Sequence, residues 1–115
     1  MEGFNYAKMT TLPEVTDREL LEMQAETCKV LANAKRLELL YALKDGEKTV
    51  GDLVTILGVS KANVSQHLSL MRNKGIVKSR RDGIHIYYRV CNNKVNQACA
   101  LMKEVLLELS MRPAR

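Results

Sequence analysis

The sequence predicts a mainly helical domain that carries one small β-hairpin. Three observations predict it. Apolar residues recur at helical spacing through residues 17–74 and again through 94–110. A capping side chain or a glycine stands at nearly every expected helix end. One stretch, residues 77–90, changes to a two-residue period around Asp82-Gly83.

The first helix is expected over Asp17 to Ala32. Thr16, with Glu19 three residues on, has the form of a capping box. Leu21, Cys28 and Leu31 share one face of this helix, with Ala25 between them. Asn33 can cap a second helix with the stripe Leu37, Leu40 and Leu43; "KDGEK" ends it, with Gly46 as the stop. A short third helix follows Thr49 and closes at Gly58, with Leu53, Ile56 and Leu57 inward. Ser60 is a strong cap type for a fourth helix, Lys61 to Lys74, whose inward stripe is Val64, Leu68 and Met71 and which Gly75 closes.

Asp-Gly between alternating runs is a strong hairpin signal. With Asp82-Gly83 as a two-residue turn, Arg81 faces Ile84, Arg80 faces His85 and Lys78 faces Tyr87. Val77, Ser79, Ile84, Ile86 and Tyr88 then form a face fit for a core, and Lys78, Arg80, His85 and Arg89 a basic face, with Arg81 near the tip. A fifth helix, Lys94 to Ser110, carries Val95, Ala98, Cys99, Met102, Val105, Leu106 and Leu109 on one broad face. Residues 1–16, interrupted by Pro13, read as a loose arm, 17–110 as one folded domain and 111–115 as a tail.

The chain has 115 residues, a single-domain length, and its core must be built from Leu, Val, Ile, Ala and Met, because there is no Trp and one Phe. No apolar run approaches the ~20 residues of a membrane helix. "MEGFNYAKMTTLPEV" lacks the charged and apolar regions of a signal peptide, so a cytosolic setting is expected. The net charge of +5 is uneven: residues 1–27 hold six acids and two bases, and the other 88 residues carry +9. Such a basic domain suits a polyanion, although surface bases chosen for solubility would look the same. The three cysteines, Cys28, Cys91 and Cys99, form no C-x-x-C pair and read as free thiols.

Two short helices joined at "GVS" and followed by a basic hairpin have the layout of a winged helix-turn-helix. In that layout the N-terminal residues of the second helix enter the major groove. Lys61, Ala62, Ser65 and Gln66 point away from the inward stripe; Ser60 and Asn63 lie beside them, and His67 is at the edge. Gln can pair with adenine in two-pronged fashion, Lys can donate to guanine or phosphate, and Ala can touch a thymine methyl. Lys78, Arg80, Arg81 and His85 on the hairpin suit phosphates. A plain amphipathic surface helix and a charged edge that blocks aggregation are the bland alternatives.

Three segments carry a resemblance: "LANAKRLELL" (31–40), "TVGDLVTILGVSKANVSQHLSLMRNKGIV" (49–77) and "RRDGIHIYYRV" (80–90). They resemble the ArsR/SmtB family of small winged-helix repressors, and the similarity runs from about Thr27 to Leu109. The resemblance implies a homodimer on a palindromic operator in double-stranded DNA, released by a metal, an arsenical or a sulfur oxidant. Dimerisation through the first and fifth helices is expected, because the stripe of the last helix exceeds what one small domain covers.

The family's metal positions are poorly supplied here. Where one family site has cysteines, this chain has Thr49 and Gly51; where another has ligands on the last helix, it has Asn92, Lys94, Val105 and Glu108. No metal or other cofactor is assigned. The inducer candidates are then Cys28, Cys91 and Cys99, with the plainer expectation that Cys28 and Cys99 are small buried residues. A constitutive regulator, or a protein-interaction module without an inducer, is the alternative. No acid lies between Ser60 and Arg81, which favours DNA over a protein partner, and no catalytic constellation is present, so no enzyme is expected.

Overall fold

The computed structural model describes residues 15–111. The elements in order are α1 (Asp17–Leu31), α2 (Ala34–Ala42), β1 (Lys48–Thr49), α3 (Val50–Leu57), α4 (Lys61–Asn73), β2 (Val77–Asp82), β3 (His85–Val90) and α5 (Asn93–Ser110). The expected arm and tail fall outside the described residues, apart from Val15, Thr16 and Met111. Among the described residues no helix is long and apolar enough to cross a membrane.

Each helix starts where a side-chain oxygen can accept a backbone N–H left without an intrahelical partner. Thr16 accepts from Glu19 N, Asn33 from Arg36 N and Ser60 from Asn63 N, each at 3.1 Å. At α3 the exchange is reciprocal: Asp52 N donates to Thr49 Oγ1 at 3.1 Å, and Thr49 N donates to Asp52 Oδ2 at 3.0 Å. Asn92 starts α5 by accepting from Lys94 N at 2.9 Å. The end of α4 is set by Gly75 at φ +75°: Ile76 N donates to Met71 O and Gly75 N to Arg72 O, both at 2.9 Å. This is a Schellman motif, and Ile76 and Met71 are both buried beside it. The second helix stops earlier than expected, at Ala42 with Leu43 as its cap, so Gly46 belongs to the following loop.

The core consists of Leu39, Leu40, Leu43, Leu53, Val64, Leu68, Met71, Ile76, Val77 and Val90. The α4 stripe lies as expected. In α2 the expected stripe is corrected: Leu39 is buried and Leu37 is 42% exposed. A strict spacing of three drifts around a helix of 3.6 residues per turn, so Leu37 and Leu43 cannot share a narrow face. In α3, Ile56 is likewise 54% exposed, while Val50, Val54 and Leu57 pack beside Leu53. The buried face is centred between Leu53, Val54 and Leu57, and Ile56 lies on its flank.

The sheet has the order β1-β3-β2 and is antiparallel throughout. Sequence patterning did not reveal β1, because two residues show no period. Its pairs are Lys48 with Tyr88 and Thr49 with Tyr87. The hairpin register also differs from expectation: Asp82 pairs with His85, Arg81 with Ile86, Arg80 with Tyr87, Lys78 with Arg89 and Val77 with Val90. The turn is therefore Gly83-Ile84, with Gly83 at φ +64° in the first central position, as in a type II′ turn. This register sets the buried valines Val77 and Val90 opposite each other. It displaces the strands by two residues, so every strand residue keeps its face, but Ile84 leaves the core face and is 89% exposed at the tip.

Side chains link the helices as well. Arg36 Nη1 donates to Val30 O at 2.9 Å and Arg36 Nε to His67 Nδ1 at 3.1 Å, which ties the end of α1 to α4 through α2. Asn96 Nδ2 donates to Leu40 O at 2.9 Å and seats α5 on α2. Lys74 and Glu26 pair at 3.4 Å.

Leu68 touches no water, so Leu68→Ala is expected to cost about 2–5 kcal/mol. The urea midpoint at fixed protein concentration checks this. His67 is held below its ordinary pKa of 6.5, first by burial and then by the Arg36 charge. The unfolded chain takes up that proton first, so this contribution is complete above pH 6.5 and is lost as pH falls through the lower folded value. Stability measured across that window should fall with pH, and His67→Gln should flatten the fall. A ring titration by NMR with its midpoint at or above 6.5 would contradict the cause.

Candidate nucleic-acid interface

Val64, Leu68 and Met71 press one side of α4 into the core, which turns the opposite side outward. Lys61, Ala62, Asn63 and Gln66 are exposed there, and Ser65 is half-buried on the flank. Ser69 and Asn73 continue the row of Ala62 and Gln66 at spacings of three and four and are also exposed. Sequence reasoning stopped at the first two turns and left these two out, although the same spacing reaches them. Ser60 has its hydroxyl oxygen committed to the cap of α4. His67 is turned to Arg36 and is not an outward residue.

The first turn of α4 contains no acid, as in α2 and α5 and unlike α1 and α3, and α4 alone of the described helices has no acid along its whole length. Its N-terminal dipole end is thus left without an internal counter-charge. α3 and α4 pack on each other through Leu53, Val64 and Leu68, with Gly58, Val59 and Ser60 between them. This is the helix-turn-helix, and β2 and β3 are the wing beside it.

On the wing, Lys78, Arg80, His85, Tyr87 and Arg89 lie on one face, and Arg81 lies on the other, opposite Ile86. Lys78 and Arg89 stand directly across from each other, a like-charge pair that would disfavour the sheet on its own. Among the described residues neither Lys78, Arg81 nor Arg89 forms an ion pair. Arg80 differs. Its Nε donates to Glu47 Oε2 at 2.8 Å and its Nη2 to Glu47 Oε1 at 2.5 Å, and its guanidinium lies 4.6 Å from the Tyr87 ring centre. The Arg80 hydrogen bonds hold the Glu47 carboxyl below its usual range, and the same contact raises Arg80. Asp82 is 3.9 Å from Arg80. Glu47 was not singled out from the sequence, since nothing local marks it as a partner for a residue 33 positions away.

Cys28 is exposed on α1, Cys91 is half-buried after β3, and Cys99 is half-buried against the core from α5. The expectation that Cys28 is buried is therefore corrected within one chain. The family's metal positions do not fit a metal here. Thr49 Oγ1 and Asn92 Oδ1 are helix caps, Gly51 and Val105 have no ligating group, Lys94 is a cation, and Glu108 alone keeps a ligand type.

The apolar face of α5 is largely open in the single chain: Leu101, Met102, Val105, Leu106 and Leu109 are 47–62% exposed. Only Val95 and Cys99 of this helix pack against the core.

Residues 33–79 match the family model for bacterial regulatory proteins of the arsR family. The chain is 35% identical over 86 residues to the transcriptional regulator Rv0324 of Mycobacterium tuberculosis, spanning 75% of this chain and 38% of that longer protein. It is 38% identical over 85 residues to the transcriptional regulator YgaV of Escherichia coli, spanning 73% of this chain and 86% of YgaV. The solution structure of the homodimeric winged helix-turn-helix DNA-binding domain of Mb0332 from Mycobacterium bovis is similar with a TM-score of 0.74 at 32% identity, over 90% of this chain and 99% of that one. Fold, helix-turn-helix, wing and relatives agree, and the chain belongs to the arsR family of winged-helix transcriptional regulators.

Proposed function

We propose that this regulator is a homodimeric, sequence-specific DNA-binding repressor that reads a palindromic operator. The observation that carries the proposal is the pairing of an acid-free outward face on α4 with three wing cations, Lys78, Arg81 and Arg89, that form no ion pair among the described residues. On this reading Gln66 pairs with adenine, Lys61 with guanine or phosphate, and Ala62 with a thymine methyl. Ser60, Asn63 and Ser65 make flanking contacts to bases or phosphates, and Lys78, Arg81, Arg89 and His85 lie along the backbone.

The open apolar face of α5 supports a dimer through α1 and α5, as does the homodimeric state of Mb0332. Two-fold pairing would set the two reading helices about 34 Å apart, one turn of duplex. That spacing is what makes a palindrome the matching target.

The inducer is proposed to act on thiols, as a sulfur oxidant or an arsenical. Cys28 and Cys99 lie on the two helices assigned to the dimer, where a new bond would shift the reading heads. Cys91 directly follows the wing strand β3. A metal is the less favoured inducer, because, of the positions where the resemblance implies ligands, only Glu108 keeps one; the others hold caps, a glycine, a valine and a lysine.

Selection from a random duplex library should enrich a two-fold symmetric site; enrichment of no sequence over bulk DNA would end the repressor reading. Gln66→Ala should cost the selected site about 1–3 kcal/mol, relax preference at one base pair of each half-site and leave binding to random DNA unchanged. For the inducer, the reduced protein bound to its site is titrated with As(III), a polysulfide, Zn(II) and Cd(II). Release by the thiol-reactive compounds is expected, and the triple variant Cys28→Ser, Cys91→Ser, Cys99→Ser should no longer respond. A triple variant that still lets go would remove the thiols from the switch.

A further inference from the structure

We propose that Glu47, Arg80 and Tyr87 form a clasp that fixes the wing against the helix-turn-helix, and that Arg80 is a positioning residue and not a phosphate contact. The proposal rests on the DNA-binding reading for its functional consequence.

The three residues come from three different places in the sheet. Glu47 immediately precedes β1, Tyr87 lies on the central strand β3, and Arg80 lies on the far strand β2. Thr49 of β1 is paired with Tyr87, and Tyr87 is paired with Arg80. The Arg80 guanidinium lies over the Tyr87 ring and meets the Glu47 carboxylate from across the central strand. One side chain therefore spans the sheet and joins its two edges.

Most surface ion pairs contribute little, because two long side chains must be ordered in solvent. Two features lessen that ordering cost here. The two parallel hydrogen bonds use the fork of the guanidinium, which is already planar and rigid. The aromatic face beneath it removes part of its freedom and adds a cation–π contact. Arg89 also lies close enough to Glu47 to favour its charged form, so the carboxylate sits in a positive setting.

The position of Glu47 gives the contact its consequence. The chain passes from Glu47 through the two residues of β1 directly into the capping box at Thr49 that starts α3. A two-residue strand has little pairing of its own to hold it. By fastening Glu47 to β2, Arg80 sets the angle between the wing and the helix pair that presents α4. The wing cations left for a phosphate backbone are Lys78, Arg81 and Arg89.

A charge swap separates this role from a direct phosphate contact, because Glu47→Arg with Arg80→Glu leaves the net charge unchanged. Arg80→Glu alone should weaken operator binding by about tenfold or more. The swapped double variant restores the ion pair but not the guanidinium on Tyr87, so it should recover at least about threefold of that loss, with an unchanged dependence of affinity on salt. Cooperative thermal melts of both variants are the control that they fold. If the swap stays as weak as Arg80→Glu, or if its salt slope drops by about 0.9 for each wing, Arg80 holds a phosphate and the clasp is wrong. Hydrogen exchange of the free protein gives a readout without DNA. Wing amides in β2 and β3 should exchange several-fold faster in Glu47→Gln and Arg80→Gln and recover in the swap. Unchanged exchange would overturn the clasp. Faster exchange with recovery, in a protein that binds no duplex, would keep the clasp and refute the DNA reading.

Discussion

Burial of Val64, Leu68 and Met71 is the constraint on which the rest of the molecule depends. These three side chains sit at spacings of four and three on α4 and meet Leu39, Leu40, Leu53 and Val77 in one core. Once they are inside, the direction of every other residue on α4 follows from helical geometry. The polar row that includes Ala62 and Gln66 must face out. The same burial carries Ile76 and Val77 into the core directly after the Gly75 turn, so the wing begins at a fixed point beside the helix it accompanies. One hydrophobic stripe thereby sets the orientation of both proposed DNA-facing elements.

Charge is placed in keeping with that frame. Acids stand in the first turns of α1 and α3, where helix dipoles and caps use them, and α4 is the one described helix with no acid along its whole length. On the wing Lys78 and Arg89 face each other and neither is in an ion pair among the described residues, an arrangement that costs stability in isolation and is relieved by a polyanion. Arg80 is the exception, and its neutralisation by Glu47 divides the wing into a part that holds shape and a part that carries charge outward. The apolar surface of α5 is a second unmet requirement of the single chain, and a symmetric partner is the means by which the proposed repressor would satisfy it.

Local signals were read well where the physics is local. Thr16, Asn33 and Ser60 cap helices because a short oxygen side chain reaches an N–H three residues on, whatever surrounds it. Errors arose where a choice among neighbours depends on what packs opposite. Leu37 and Leu39 are equally apolar, and only the position of the other helices selects Leu39 for the core. Asp82-Gly83 and Gly83-Ile84 are both acceptable turns, and the pairing of Val77 with Val90 at the base of the hairpin decides between them. The proposed site was legible to the same extent: the outward row of α4 could be read from its stripe, but the engagement of Arg80 by Glu47, 33 residues away, could not.

By itself, then, the sequence determined the number, kind and order of the helices, the hairpin, the inward side of α4 and the basic character of the wing. All of these depend on periodicity or on contacts between residues a few positions apart. Tertiary structure alone decided the strand β1, the hairpin register, the outward turn of Leu37 and Ile56, and the link from Glu47 to Arg80 across the sheet. The physical reason is that each of these is a competition between locally equivalent options. It is settled by partners that are distant in the chain and come together only when the core closes.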